Sequence, residues 1–286
     1  MVTWFFVSDL HGQVMRYQKL HKAILTERPA AVLIGGDLLP PTLPSRAGNG
    51  LIHDNFVHET LKTGLGCLQE KLGASYPRVY IILGNDDPRS TEVDFIDPPN
   101  GMWEYINCRR VEFGGFSIYG YAYVPPTPFF LKDWERYDVS RFVDPGCISP
   151  EEGWRSTSVP ANEVKFTTIQ MDLKRLVGND NLTNAIFLFH TPPYQTALDR
   201  AALDGQAIDK TPLDTHMGSI AVRRFIVESQ PLITLHGHIH ESPRLTGSWK
   251  DRLGRTFLFS AAHDGRELSL VRFDPEKPEN ASRELI

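Results

Sequence analysis

The chain reads as an α/β protein, and three observations predict that class. Short apolar runs alternate with segments of helical spacing through the first half, a repetition that predicts a sheet with helices packed on it. Five of the apolar runs end in Asp, Asn or His, where a buried strand would leave its sheet and where α/β folds gather sites from distant stretches of chain. No internal repeat or low-complexity tract interrupts the 286 residues, so one domain over 1–286 is the simplest reading.

Taken in order, residues 2–7 read as the first strand. Val14, Tyr17, Leu20, Ile24 and Leu25 then share one helical face, and Pro29 stops the pattern. A strand at 31–35 leads into a Pro-rich loop, and an insertion is expected over 40–56. Residues 56–72 read as helix and 78–83 as the third strand. The alternation around Gly114-Gly115 predicts a hairpin over 110–124. Residues 125–160 carry six prolines and no period, which predicts an ordered insertion packed over a site, its Trp and Phe residues used for packing. Helical spacing returns at Ile169, Leu173, Leu176 and Val177, and again at Val222, Phe225 and Ile226. Strands at 256–261 and 266–273 follow, and the polar tail after Pro275 reads as frayed.

Composition excludes several function classes. A net charge of −5 opposes general nucleic-acid binding, which needs a basic face. No apolar run approaches the roughly 18 to 20 residues that span a bilayer, so no membrane role is expected. Cys67, Cys108 and Cys147 form no CxxC pair and read as thiols of a reducing compartment, with the cytoplasm as the expected location.

The residues at the strand ends are Asp9 and His11, Gly36-Asp37, Gly84-Asn85-Asp86-Asp87, His190, and Gly237-His238-Ile239-His240. Each alone has a bland reading: Asp9 as a helix cap, Asn85 to Pro88 as a turn, His190 as a strand-end histidine. Together they supply oxygen and imidazole ligands and no thiolate, a set suited to manganese, iron or zinc. Two divalent cations about 3.5–4 Å apart neutralise phosphate oxygens and lower the pKa of bound water, the chemistry a phosphoester needs. His236 shares the HxHxH string but reads as a supporting or packing side chain, because the other ligands already serve two metals.

In this order the segments resemble the calcineurin-like metallophosphoesterases, whose pattern is DxH, GD, GN(H/x)(D/E), a lone His and GHxH. The resemblance spans residues 9–240 and implies a four-layer α/β/β/α sandwich of two mixed sheets flanked by helices. It further implies two divalent metal ions, one on Asp9, His11 and His240, the other on Asn85, His190 and His238, with Asp37 bridging. The implied activity is hydrolysis of a small-molecule phosphoester, monoester or diester, by a metal-bound hydroxide. The segments around His190-Thr191-Pro192 and His216-Met217-Gly218 are similar to the small bacterial and archaeal branch.

One position departs from the pattern. Asp86 stands where family members commonly carry a His that protonates the leaving group. An aspartate beside two cations is expected to be ionised and unable to donate a proton. Activity restricted to good leaving groups, a different acid, or binding without turnover would each follow, the last giving a binding or scaffold protein on the same fold. Asp86 and His216 are the candidate catalytic positions beyond the implied metal ligands. Two other hydrolase classes fit less well: the HxHxDH string of metallo-β-lactamases lacks its Asp-His ending here, and an amidohydrolase barrel would place HxH, not DxH, on its first strand.

Overall fold

The computed structural model describes residues 2–41 and 55–286. Two mixed six-stranded sheets form its centre. The first contains β1 (Trp4–Val7), β2 (Ala31–Gly35), β3 (Arg78–Ile82), β4 (Glu104–Tyr105), β13 (Ser269–Phe273) and β14 (Ser282–Leu285), in the order β14-β13-β1-β2-β3-β4. Strands β1 to β4 run parallel, while β13 and β14 run antiparallel to their neighbours. The second sheet orders β11 (Lys250–Leu253), β12 (Thr256–Ser260), β10 (Ile233–His236), β7 (Ala185–Phe189), β6 (Phe116–Tyr121) and β5 (Arg109–Phe113). Its four central strands are parallel, and β5 and β11 close the edges antiparallel.

The central strands WFFV, AVLIG, AIFLF and ITLH are buried along their whole length. Continuous apolar runs of this kind suit strands covered on both faces. One face meets the opposite sheet through aromatic rings: Trp4 lies 5.4 Å from Phe113 and 5.8 Å from Phe116, and Phe259 lies 6.0 Å from Phe273. The outer faces carry helices. Val14–Glu27 packs beside Thr63–Leu72, and Ile169–Val177 packs beside Ile220–Ser229. Each buries an apolar stripe such as Leu20 and Ile24, worth about 1.5–3 kcal/mol per fully buried side chain. The architecture is therefore the four-layer α/β/β/α sandwich.

Two expectations are filled out and two change. The stretch 56–72 is helical as expected, with Val57–Lys62 wound as π-helix before Thr63–Leu72 turns α-helical. The strands expected near 256–261 and 266–273 form as β12 and β13, in different sheets, so the link through His263 crosses between layers. The tail after Pro275 is not frayed. It returns as β14 beside β13, Ile286 and Leu268 exchange both backbone hydrogen bonds, and Arg272 pairs with Glu284 at 2.8 Å. Edge-strand pairing needs backbone contacts more than apolar side chains, so polarity was a poor guide there. The aromatic residues of 125–160 also divide: Trp134 is fully buried, whereas Phe129, Phe130, Phe142 and Trp154 are exposed.

Residues 125–160 contain no helix and no strand ladder, only the single bridges Val124↔Glu135, Leu131↔Trp154 and Tyr137↔Thr168. A fully buried ion pair, Lys132 to Glu135 at 2.6 Å, organises this segment. Glu135 also accepts bonds from the Thr127 backbone N–H and hydroxyl, and Lys132 donates to the Thr127 carbonyl. Removing one partner of such a pair leaves a buried charge uncompensated, at a cost of about 3–5 kcal/mol. The expected insertion at 40–56 lies, except for its end residues, outside the described residues.

Candidate metal centre

All the implied metal ligands converge where the parallel strands of both sheets end. Asp9 follows β1, Asp37 follows β2 and Asn85 follows β3, while His190 follows β7 and His238 and His240 follow β10. Two sets of donor atoms lie close enough to share an ion: Asp9, His11, Asp37 and His240, and Asp37, His190 and His238. Asp37 belongs to both. Its Oδ2 lies 3.2 Å from His190 Nε2 and 3.8 Å from His11 Nε2. Asn85 Oδ1 joins the second set, 3.1 Å from His190 Nε2.

The backbone is bent to make this possible. Asp9, His11, Asp37 and His238 all adopt left-handed φ values, 57°, 46°, 51° and 72°. Residues with a Cβ visit that region at a cost of about 1–3 kcal/mol each, and such residues cluster at functional sites. The motif glycines serve close approach. A Cβ on Gly84 would stand 2.3 Å from Asp37 Oδ1, and one on Gly36 would stand 2.7 Å from His190 Nδ1.

Supporting hydrogen bonds orient the donors. His190 Nδ1–H donates to the Gly35 carbonyl at 2.8 Å, which turns Nε2 towards Asp37 and Asn85. Asp9 Oδ1 accepts from the His238 backbone N–H, and Asp37 Oδ1 accepts from the Asp86 N–H. Arg16, buried in the first helix, donates to the Asp9 carbonyl and fixes that loop. Asp87 is fully buried and accepts from Leu38, Leu39 and Gly84 backbone N–H groups, tying the β2 loop to the β3 loop. The Trp134 indole N–H then donates to the Asp87 carbonyl at 2.8 Å and fastens the 125–160 segment to the centre.

Charge in the cluster is arranged to hold cations. Burial disfavours the His190 imidazolium, yet the Asp37 carboxylate more than offsets it and lifts the pKa to about 10. His240 rises to about 9 against burial, through its bond to Asp9. Burial, reinforced by His190, drops His238 to about 3. Asp9 falls to about 2, because the His240 bond overcomes burial, and Asp37 is held far below the carboxylate range against burial by His190. Asp9 Oδ2 is buried without any hydrogen-bond partner, an orphan that a metal ion would satisfy. His11 Nε2 and His240 Nε2 approach to 3.1 Å, an arrangement in which both lone pairs can face one ion. The donor set fits a divalent metal.

The other expected positions lie apart from this cluster in different degrees. Asp86 lines the cavity above the centre, and its Oδ2 is 3.7 Å from His11 Nδ1. The Asp37 charge, then burial, push its carboxyl up to about 7 in the protein alone; cations beside it act in the opposite direction. His216 does not line that cavity. Its Nδ1 is held by Asp199 at 2.8 Å, and it faces an adjoining cavity with Tyr194 and Asp138. His236 takes its expected supporting place, bonded to the Thr191 carbonyl and the Thr234 hydroxyl and stacked on Phe189. Reading the sequence passed over Arg16, Glu241 and Leu203; only the closeness of Glu241 to the GHxH segment could have marked any of them.

A site assembled in this way on two facing sheets defines a metal-dependent phosphoesterase class. The chain belongs to the calcineurin-like phosphoesterase family, matched over residues 3–242. Similar solved structures share the fold at low identity. The crystal structure of TT1561 of Thermus thermophilus is 15% identical with a TM-score of 0.54, covering 99% of this chain and 98% of that one. The phosphopantetheinyl hydrolase PptH from Mycobacterium tuberculosis is 12% identical with a TM-score of 0.51, covering 91% and 89%. No curated protein sequence gives a significant match. Among the described residues, no helix is long and apolar enough to cross a membrane.

Proposed function

We propose that the chain hydrolyses a small-molecule phosphoester at a pair of divalent metal ions. Asp9, His11 and His240 would hold one ion, Asn85, His190 and His238 the other, and Asp37 both. The observation that carries this is the place of Asp37 Oδ2 between His190 Nε2 and His11 Nε2, in both donor sets. Bound ions supply charge neutralisation of the phosphate and a lowered pKa for water. Nitrogen and oxygen donors without thiolate suit manganese, iron or zinc.

The chain's own groups have distinct tasks in this reading. The Gly35 carbonyl sets the His190 tautomer, and Asn85 Nδ2 donates to Asp86 Oδ1 at 3.0 Å, which aims Oδ1 of Asn85 at the cluster. Asp86 serves His11, holding Nδ1 at ion-pair distance so that Nε2 faces Asp37. That role replaces the proton donor other family members carry, and turnover then favours esters with good leaving groups. His216 does not line the metal cavity; held by Asp199, it faces the adjoining polar space and takes no direct part at the reacting phosphate. The whole chain acts as one domain, with 40–56 and 125–160 as insertions, the second supplying Pro125 to Phe129 as a cavity wall. Its free cysteines agree with a cytoplasmic location.

The presence of Asp86 also supports a second reading, a metal-binding member that does not turn over. Metal-stripped protein titrated with manganese and other divalent ions, assayed on 4-nitrophenyl phosphate and bis(4-nitrophenyl) phosphate, separates the two. Metal-dependent release of nitrophenolate is expected, and the preferred ester tells monoesterase from diesterase. Two ions bound with no turnover of either ester would put the binding protein in its place.

A further inference from the structure

Three cavities meet at Met217. The first, about 360 Å³, lies over the candidate metal centre. The second, about 170 Å³, is walled by Pro145, Cys147, Ile208 and Leu213, and Pro128, Leu203 and Met217 line both it and the first. The third, about 110 Å³, is the more polar space that His216 faces. The second cavity is built from two segments pressed together. The loop carrying β8 (Ala207–Ile208) and β9 (Thr211–Pro212) brings Ile208 so close to Gly146 that a Cβ there would stand 2.5 Å from Ile208 Cδ1.

We propose that this second cavity is a subsite for the organic group esterified to the phosphate, and that the group it selects is apolar with no further negative charge. The proposal rests on the phosphoesterase reading. Its first support is adjacency, since Pro128, Leu203 and Met217 line both the metal cavity and the apolar one. Its second is chemistry. Pro128, Leu203, Ile208, Leu213 and Met217 offer hydrocarbon and a polarizable thioether, and Phe129 stands 58% exposed in the wall of the metal cavity. An exposed aromatic ring at a cavity wall is surface that an apolar ligand can cover. The third support is charge. Asp144 and Asp214 line the apolar cavity, Asp86 and Glu241 line the metal cavity, and among the described residues no lysine or arginine lines either. A second phosphate or a carboxylate on the substrate would face those acids, whereas a neutral chain would not.

The test is a chain-length series on the metal-loaded full chain: methyl, butyl and hexyl 4-nitrophenyl phosphates, with 6-carboxyhexyl 4-nitrophenyl phosphate as the charged member. Each methylene moved out of water is expected to raise kcat/KM about fourfold through KM, until the cavity is filled. The terminal carboxylate is expected to cancel that gain by about tenfold. Ile208→Gln should flatten the length dependence, and Met217→Ala should shift the preferred length. A flat series with intact metal-dependent turnover overturns the subsite and leaves the phosphoesterase reading standing. Should no ester turn over, calorimetry with methyl-, butyl- and hexylphosphonate on the metal-loaded protein carries the same test. Affinity rising with length then supports the subsite, and equal affinities overturn it.

Discussion

The two halves of the candidate centre are built from similar donors and embedded differently. His190 has no exposed side-chain surface and its Nδ1 is tied to a backbone carbonyl, whereas His240 is one-third exposed and meets only other side chains, the Asp9 carboxylate and the His11 ring. His11, on the same side as His240, leans on Asp86, which is itself 39% exposed. One half is therefore fixed by the sheet, and the other by side-chain charge. Preorganised donors lose less freedom on binding, so the His190 half should bind its ion more tightly and exchange it more slowly.

Breaking the residue common to both halves gives the largest effect. Asp37→Asn should lower kcat/KM at least about a thousandfold and bring metal content below two ions per chain, with circular dichroism unchanged. Retained activity in that variant would dissolve the comparison, because the halves would then not share a ligand. Next, His190→Ala and His240→Ala should differ. The first should remove the tightly held ion and cost about 2 kcal/mol or more of stability, since it empties a buried site. The second should leave that ion in place and weaken only the exchangeable one, as read by metal analysis after dialysis. Equal losses in both would refute the asymmetry.

Asp86→His sharpens the role of the exposed half. If Asp86 only steadies His11, an imidazole there restores a proton donor, and hydrolysis of alkyl esters should rise about tenfold while 4-nitrophenyl esters change little. The smallest effect is thermal. His190 and His240 have folded-state pKa values of about 10 and 9, above the ordinary histidine range. Their protonation stabilises the metal-stripped fold fully below about pH 6.5, and that contribution is lost as pH rises through 9 to 10. The Tm of stripped protein should fall by on the order of 5 °C between pH 7 and 10, and metal-loaded protein should not show that fall.

Much of this candidate site could be read from the chain itself because each candidate ligand follows a buried run. Apolar continuity marks β1, β2, β3, β7 and β10, and the residues beyond them inherit their place from the sheet. The glycines of the Gly-Asp and Gly-Asn pairs stood in the sequence pattern, but their reason lies in the fold, where a Cβ would crowd Asp37 or His190. What the sequence concealed was backbone and edge. The left-handed turns at Asp9, His11, Asp37 and His238 have no compositional mark, as none is glycine. The Gly35 carbonyl that orients His190 carries no side chain to read. β14 is polar because most of its side chains are exposed, and its pairing with β13 depends on main-chain groups. His216 sat in a plausible loop, and only its bond to Asp199 shows that it turns from the metal cavity.

The raised pKa values of His190 and His240 give metal loading a second currency. At neutral pH both rings carry a proton that an arriving cation must expel. Uptake of the ions should therefore acidify a weakly buffered solution, and the calorimetric heat of binding should vary with the ionisation enthalpy of the buffer. A cell that becomes slightly more alkaline and one that becomes slightly richer in metal would push this protein in the same direction.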